Sequence, residues 1–472
     1  MNLIKESFLY KLFVWINAGI KNLISKSAIL NGFFKEKDQT EKQNNSIVIK
    51  IVNKIISILQ LVFKKLRLNT LLEGSIFTKP SIWITFVLIL SPFLPTMLVL
   101  ALVLFTAFTL ILKACVEEDF ELVHFKTNSW ILAFAVVVAF SAIASLAMME
   151  AIKIAMLSIS FILFYFVWIN TVKSKEQMNF YIYVFVLAGF VAALYGLYQY
   201  FLGDIYSQAW LDDEMFEDIK MRVYSTFQNP NVFGEYLLLV VPFSIMLVAD
   251  SKGIIKKLFW AGITGILVLS LVLTFSRGCW LGLILSCFIL AILFDKRLIW
   301  IGILALVVAP FILPQTILER FLSIGNMQDT STSYRVFIWL GTIAMLKDYF
   351  LCGIGLGTTS FNTIYPLYSY SEIVAPHSHS LYLQLFVEYG LVGFIVFVGI
   401  IYNYFKETLI HYKKTKDYMT MASIAALAGF LLQSATDYTW YNYRLVLIFW
   451  IVIAIGISNT KYLNKSKGET HD

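Results

Sequence analysis

The sequence predicts an all-α, polytopic membrane protein. Three observations carry that expectation. The 472 residues are 59% hydrophobic and only 14% charged, where soluble domains hold roughly 45–50% apolar and about 25% charged residues. Mean hydropathy is +0.75. Apolar runs of about 20 residues, the length that crosses a ~30 Å hydrocarbon core as a helix, recur along the chain. The four cysteines, Cys115, Cys279, Cys287 and Cys352, form no CxxC pair. They point to packing residues rather than to a disulfide framework or metal centre.

Residues 1–75 read as a basic amphipathic N-terminal segment on the cytoplasmic membrane surface. No continuous apolar core followed by a cleavage site marks a signal peptide here. Thirteen of the 37 Lys and Arg fall within residues 1–80. Ile47, Val48, Ile51, Val52, Ile55, Leu59 and Val62 recur at helical spacing, with Lys50, Lys54, Lys64 and Lys65 between them. Such a face suits an anionic lipid surface. A weaker pattern covers Phe8–Ile29, and KEKDQTEKQNN (35–45) reads as a polar hinge. A cytoplasmic docking helix for a partner is the other reading of this segment.

Residues 76–460 read as the transmembrane domain. About twelve spans are expected, at 76–94, 95–113, 129–148, 151–172, 179–201, 231–249, 257–275, 278–294, 298–314, 379–402, 419–436 and 440–459. Pro92 and Pro95 divide the first long run into two joined helices. With both termini cytoplasmic, sixteen cations fall in the inner loops and tail and eight in the outer segments, as the positive-inside rule requires. Residues 461–472 form the cytoplasmic tail. The extracytoplasmic loops are 202–230 and 315–378. The second, the largest, holds an expected amphipathic helix, Tyr334–Asp348, and the turn CGIGLG (352–357). Trp339, Phe350 and Phe361 give it apolar side chains to pack, so it is expected to be ordered.

The outer cations differ in kind from the inner ones. Five of the eight are Arg: Arg222, Arg277, Arg320, Arg335 and Arg444. Arg grips phosphate oxygens bidentately and keeps its charge. Several at one interface suggest a diphosphate site, with Arg277, in the short turn TFSRG (274–278), the strongest candidate and Arg222 and Arg335 beside it. Pairing with lipid headgroups or with acids such as Glu214 or Asp437 is the alternative for each. Asn229 and Asn231 open a span in STFQNPN (225–231), where they serve either as a helix cap or as ligand contacts. Glu235 lies within reach of a pair with Arg222 or Arg277. His377 and His379, in HSHSLYLQLFVEYGLVG (377–393), join the arginines at the same level. Histidine is readily set as a proton acceptor near neutral pH. Read as one helix, His379 and Gly390 share a face, and Glu388 points away from it. No P-loop, GxSxG or DxD cluster accompanies these residues, so no cofactor or metal is called for.

His379-Ser380, nine residues, then Gly390-Leu391-Val392-Gly393 resembles the H-[NSQ]-x9-G-x-x-G pattern of the O-antigen ligase and polymerase family. STFQNPNVFGEYL (225–237), TFSRGCWLGL (274–283) and RVFIWLGTIAMLKDYFLCGIGLG (335–357) fall in that family's order, and the resemblance covers about 80–460. It implies a C-fold-class (GT-C-like) glycosyltransferase of the bacterial cytoplasmic membrane. Such an enzyme moves a glycan from an undecaprenyl diphosphate donor to an acceptor hydroxyl on a glycan, lipid or protein. The reaction takes place on the outer face of the membrane, without metal and with inversion. The resemblance and the chemistry together put His379 as base and Arg277 as catalytic cation. Arg222, Arg335, His377, Asn229 and Asn231 would bind substrate. Partners are the donor, the acceptor and membrane lipids, and no nucleic acid. A lipid-linked oligosaccharide flippase is the alternative, though it needs polar groups through the membrane depth, which are scarce. A non-catalytic envelope scaffold is the third reading.

Overall fold

In a computed structural model, residues 47–123, 125–203 and 221–461 are described. The chain divides into two compact units, Met1–Lys54 and Ile55–Asp472. Of the first, only residues 47–54 are described, the opening of a helix, α1, that runs Ile47–Lys65. The patterns at Phe8–Ile29 and 35–45, the acids Asp212, Asp213 and Glu214, Lys220 and most of the tail lie outside the described residues.

The second unit is helical, with no strand among its described residues. Its long helices are α2 (Pro80–Leu90), α3 (Thr96–Val116), α4 (Lys126–Ile143), α5 (Met148–Thr171), α6 (Lys175–Leu202), α7 (Pro230–Asp250), α8 (Ile254–Val272), α9 (Arg277–Phe294) and α10 (Leu298–Ile312). An outer segment follows, with α11 (Gln315–Leu322), α12 (Thr330–Asp348) and α13 (Thr358–Ile364). The chain closes with α14 (Leu381–Thr415), α15 (Tyr418–Gln433) and α16 (Tyr443–Asn459). Each of the twelve apolar runs falls on a helix. Among the described residues, eight helices are long and apolar enough to cross a membrane. The other four, α2, α10, α15 and α16, have 11–17 residues.

Helix α7 is the axis. It is buried along most of its length, packing on α15, α8 and α9, while α16 is buried from Arg444 to Asn459 against α5. Helix α9 crosses α15 at close range. A Cβ on Gly282 would stand 2.7 Å from the Gly429 carbonyl oxygen. Only paired glycines allow these backbones to meet, the small-residue contact that replaces hydrophobic collapse in lipid. Helix α10, by contrast, buries none of its side chains. Its leucines, isoleucines and valines stay outward, as lipid-facing residues do.

Polar contacts tie the helix ends together. Lys175 meets Asp417 at 2.6 Å and Lys64 meets Glu118 at 3.0 Å. Gln60 donates to the carbonyls of Ala114 and Glu117, both at 2.9 Å, at the far end of α3. At the near end, Arg444 donates to the Pro92 carbonyl (3.1 Å) and the Thr226 carbonyl (2.8 Å).

The outer segment folds on a small core of its own: Ile338, Met345, Ile354, Phe361, Ile364, Tyr365 and Ala375. Phe361 is buried there as expected, while Phe350 is exposed. The helix expected at Tyr334–Asp348 begins earlier, at Thr330.

Candidate active site

The amino ends of α7, α9 and α14, the start of α12 and the α15–α16 loop meet at one end of the bundle. The loops that deliver them are strained. Of the seven non-glycine residues with positive φ among the described residues, four sit here: Ser225, Gln228, Phe275 and His379. Each such conformation costs of order 1–3 kcal/mol and persists where the surroundings over-determine it.

His379 stands at φ 50°, two residues before α14 begins at Leu381. The expectation that it shares a helical face with Gly390 is therefore wrong. It precedes the helix, and Gly390 (φ 64°, ψ −170°) interrupts it. A Cβ on Gly390 would lie 2.2 Å from the Leu351 carbonyl oxygen. The glycines of the motif serve packing, with Gly390 seating the 350–354 turn and Gly393 close to Val137 of α4. Several bonds fix the histidine loop. The Ser378 hydroxyl donates to the Ser380 carbonyl at 2.9 Å, and the Trp339 indole N–H to the His379 carbonyl at 3.3 Å. The Leu381 amide reaches the Ser434 carbonyl at 2.8 Å.

Asp437 is the hub. Its Oδ1 lies 3.3 Å from His379 Nδ1 and accepts the Tyr438 amide at 2.9 Å. Its Oδ2 accepts the Asn231 side-chain N–H at 2.8 Å and faces Arg335 Nη2 at 3.8 Å. Burial opposes ionisation of Asp437, but the bond to His379 and the Arg335 charge outweigh it, holding the carboxyl well below the usual range. Asn231 relays the network onward, accepting Arg222 Nη2 at 2.8 Å on its own Oδ1, while Arg222 Nε donates to the Thr274 carbonyl at 2.8 Å. Asn229 caps α7 through its Oδ1 and donates to the Tyr441 hydroxyl at 2.8 Å. His377 stacks on Tyr441 with ring centroids 5.4 Å apart and touches the His379 ring at 4.3 Å. Burial first, then the charge of His379, pushes the His377 imidazole down to about 3, so it is neutral.

Arg277 heads α9. It donates to the Ser323 hydroxyl at 2.9 Å and pairs with Asp329, which is fully buried. Arg320, from α11, is buried too and lies within electrostatic range of both Asp329 and Arg222. The neighbouring cations Arg320 and Arg335 add to burial in lowering the Arg222 pKa. This crowding of like charge is what a bound polyanion relieves.

Arg222, Asn229, Asn231, Arg335, His377 and His379 thus form one connected network, and Arg277, paired with Asp329, stands near it, with Arg320 within electrostatic range of both Asp329 and Arg222. Three expectations change. Glu235 pairs with neither arginine; its carboxyl accepts the Thr439 hydroxyl. Arg444 is anchored beneath the site, with its guanidinium over Phe227 at 4.8 Å. Asp437 pairs with His379 as well as with Arg335. Sequence reasoning gave Asp437 only as a pairing acid for the arginines and passed over Asp329 and Tyr441, although Tyr441 stands in DYTWYNYR (437–444) at the junction of two apolar runs. Among the described residues, no group of three or more His, Cys, Asp or Glu is placed to hold a metal ion.

The fold and this site define a polytopic helical membrane protein with a cationic, histidine-bearing cluster at the ends of its helices. Residues 236–398, from the first turns of α7 into α14, match the family described as O-Antigen ligase. The matched span holds Arg277, Arg335, His377 and His379, while Arg222, Asn229, Asn231 and Asp437 flank it. No curated protein matches the chain.

Proposed function

We propose that this protein is an undecaprenyl-diphosphate-glycan-dependent glycosyltransferase of the O-antigen ligase or polymerase type. It carries a glycan to an acceptor hydroxyl on a glycan, lipid or protein at the outer face of the bacterial cytoplasmic membrane. The observation that carries the reading is the link His379–Asp437–Asn231–Arg222, a chain of contacts between a histidine and an arginine that supports their acting together on one substrate.

Asp437 accepts the Nδ1 proton of His379 and leaves Nε2 with a lone pair. Nε2 takes the proton of the acceptor hydroxyl as its oxygen attacks the anomeric carbon. The bond from that carbon to the diphosphate oxygen breaks, and the electron pair leaves on the diphosphate. Arg277 and Arg222 offset the growing charge, with Arg335 beside them, so no metal is required. A single displacement inverts the anomeric centre. His377 and Tyr441 form a flat wall against which the acceptor rests. The undecaprenyl tail lies among the helices, which places the diphosphate at the membrane surface.

In this reading both termini are cytoplasmic, twelve helices cross the membrane, and 202–230 and 315–378 are extracytoplasmic. The basic amphipathic pattern of residues 1–75 suits the inner membrane surface, and Gln60 and Lys64 make their contacts at the far end of α3 from the site. The test is release of undecaprenyl diphosphate from a synthetic undecaprenyl diphosphate oligosaccharide by purified protein. Release abolished by His379→Ala supports the reading; release that persists refutes it. A flippase would move the donor without cleaving it.

A further inference from the structure

A second set of polar residues lies beneath the histidine loop, and the chemistry above does not use it. Gln384 and Glu388 stand one turn apart on α14, 1% and 5% exposed. The Ser378 amide donates to Gln384 Oε1 at 2.8 Å, and Gln384 Nε2 donates to Glu388 Oε1 at 3.0 Å. The arrangement is directional. A glutamine amide has one accepting and one donating end. Because Glu388 takes the donating end, the accepting end must face Ser378. Turning the amide over would set N–H against N–H.

Glu388 is itself held on several sides. The Ser141 hydroxyl donates to its carbonyl at 2.8 Å, and the Gly357 amide is directed at its carboxyl. The Ile354 amide donates to the preceding carbonyl, that of Val387, at 2.8 Å. The 352–357 turn and α4 therefore hold the backbone at Val387–Glu388, while the Glu388 carboxyl is tied through Gln384 to the histidine loop. A carboxyl in such a place is unfavourable unless hydrogen-bonded, and its bond here ends at the amide next to His379. That residue is the strained one, at φ 50°.

We infer that Gln384 and Glu388 are positioning residues: a buried Glu–Gln clasp that grips the Ser378 amide and so holds His379 in its left-handed conformation facing Asp437. The inference rests on the reading of His379 as the base. Neither clasp residue touches the reacting groups, so donor binding by the arginines should be independent of the clasp.

A charge swap tests this. Gln384→Glu sets two carboxyls against each other. Glu388→Gln keeps both bonds, because the new amide oxygen still accepts from Gln384. The double variant Q384E/E388Q restores them with polarity reversed: the carboxylate introduced at position 384 accepts both from the Ser378 amide and from the side-chain amide introduced at position 388. The expected result is a loss of about tenfold or more in kcat for Q384E, E388Q within about threefold of wild type, and recovery to within about threefold in the double variant. Binding of undecaprenyl diphosphate should stay within about twofold throughout. Carbethoxylation of His379 by diethyl pyrocarbonate, followed by mass spectrometry, should change in Q384E and revert in the double variant. Gln384→Met replaces Q384E if that protein does not fold, with the same loss expected. Wild-type kcat and unchanged carbethoxylation in Q384E would overturn the inference. So would a loss that the double variant does not recover. If wild type releases no undecaprenyl diphosphate, the glycosyl-transfer reading fails, and the carbethoxylation series still decides the clasp.

Discussion

Asp437→Asn is the most informative single change, because the carboxylate accepts from opposite sides. Oδ1 faces the Tyr438 amide and His379, while Oδ2 faces Asn231 and Arg335. An asparagine has one accepting end. If its oxygen faces Asn231, its NH2 points at the Tyr438 amide and at His379. His379 can then accept only by moving its proton to Nε2, which removes the lone pair that the acceptor hydroxyl needs. If the asparagine is turned over, its NH2 meets the Asn231 N–H and leaves Arg335 without a countercharge. Either way one charge-assisted bond is lost and a donor faces a donor. A bond to a charged group contributes about 1.5–3 kcal/mol. A loss of about 2–3 kcal/mol from the barrier balance lowers kcat about 30–150-fold. The assay is steady-state release of undecaprenyl diphosphate, with the thermal midpoint measured in parallel. Release by D437N within about threefold of wild type would refute the view that Asp437 sets the His379 tautomer.

Three further outcomes are expected. Gly390→Ala puts a Cβ 2.2 Å from the Leu351 carbonyl oxygen in a backbone conformation that is itself strained by about 1–3 kcal/mol for alanine; it should lower the thermal midpoint by several degrees, and Gly265→Ala, with open space around it, should not. Arg444→Met removes the donors to Pro92 and Thr226 and should destabilise the protein with activity falling only in proportion; a loss of activity at unchanged stability would place Arg444 in the site. His377, held down to about 3, takes up protons on unfolding between its folded pKa and the unfolded value near 6.5. The unfolded chain binds more protons in that window, so stability is fully present above about pH 6.5 and is lost on acidification toward about 3; His377→Asn should flatten the fall in thermal midpoint between about pH 6.5 and 4.5.

The helices and the gathering of the cations were legible because both follow from local rules. Apolar runs of spanning length, the Pro92–Pro95 break and the Asn229 cap each depend on neighbouring residues alone. Charge bias assigned Arg222, Arg277, Arg335 and the histidines to one side of the membrane, and they do meet. What failed was a different kind of inference. Helical arithmetic linked His379 to Gly390, but a left-handed backbone at His379 is imposed by Gln384, Trp339 and the α15–α16 loop, none of which residue identity at 379 reveals. Attraction between charges pairs Glu235 with an arginine; burial instead gives it a neutral hydroxyl partner, Thr439. Asp437 and Asn231 lie 206 residues apart, and no spacing rule joins them. Separation in sequence also hides the Arg277–Asp329 pair, since the outer segment had to fold before its acid could be assigned.

The central claim is that one network joins the base to the phosphate-binding cations. Transfer by purified protein from a synthetic undecaprenyl diphosphate oligosaccharide, with EDTA present, tests it most directly when wild type is compared with His379→Ala and Arg277→Ala. The account predicts that only wild type releases undecaprenyl diphosphate at an appreciable rate, and the product size ladder then separates polymerase from ligase. Equal release by all three proteins would contradict it and make the cluster structural.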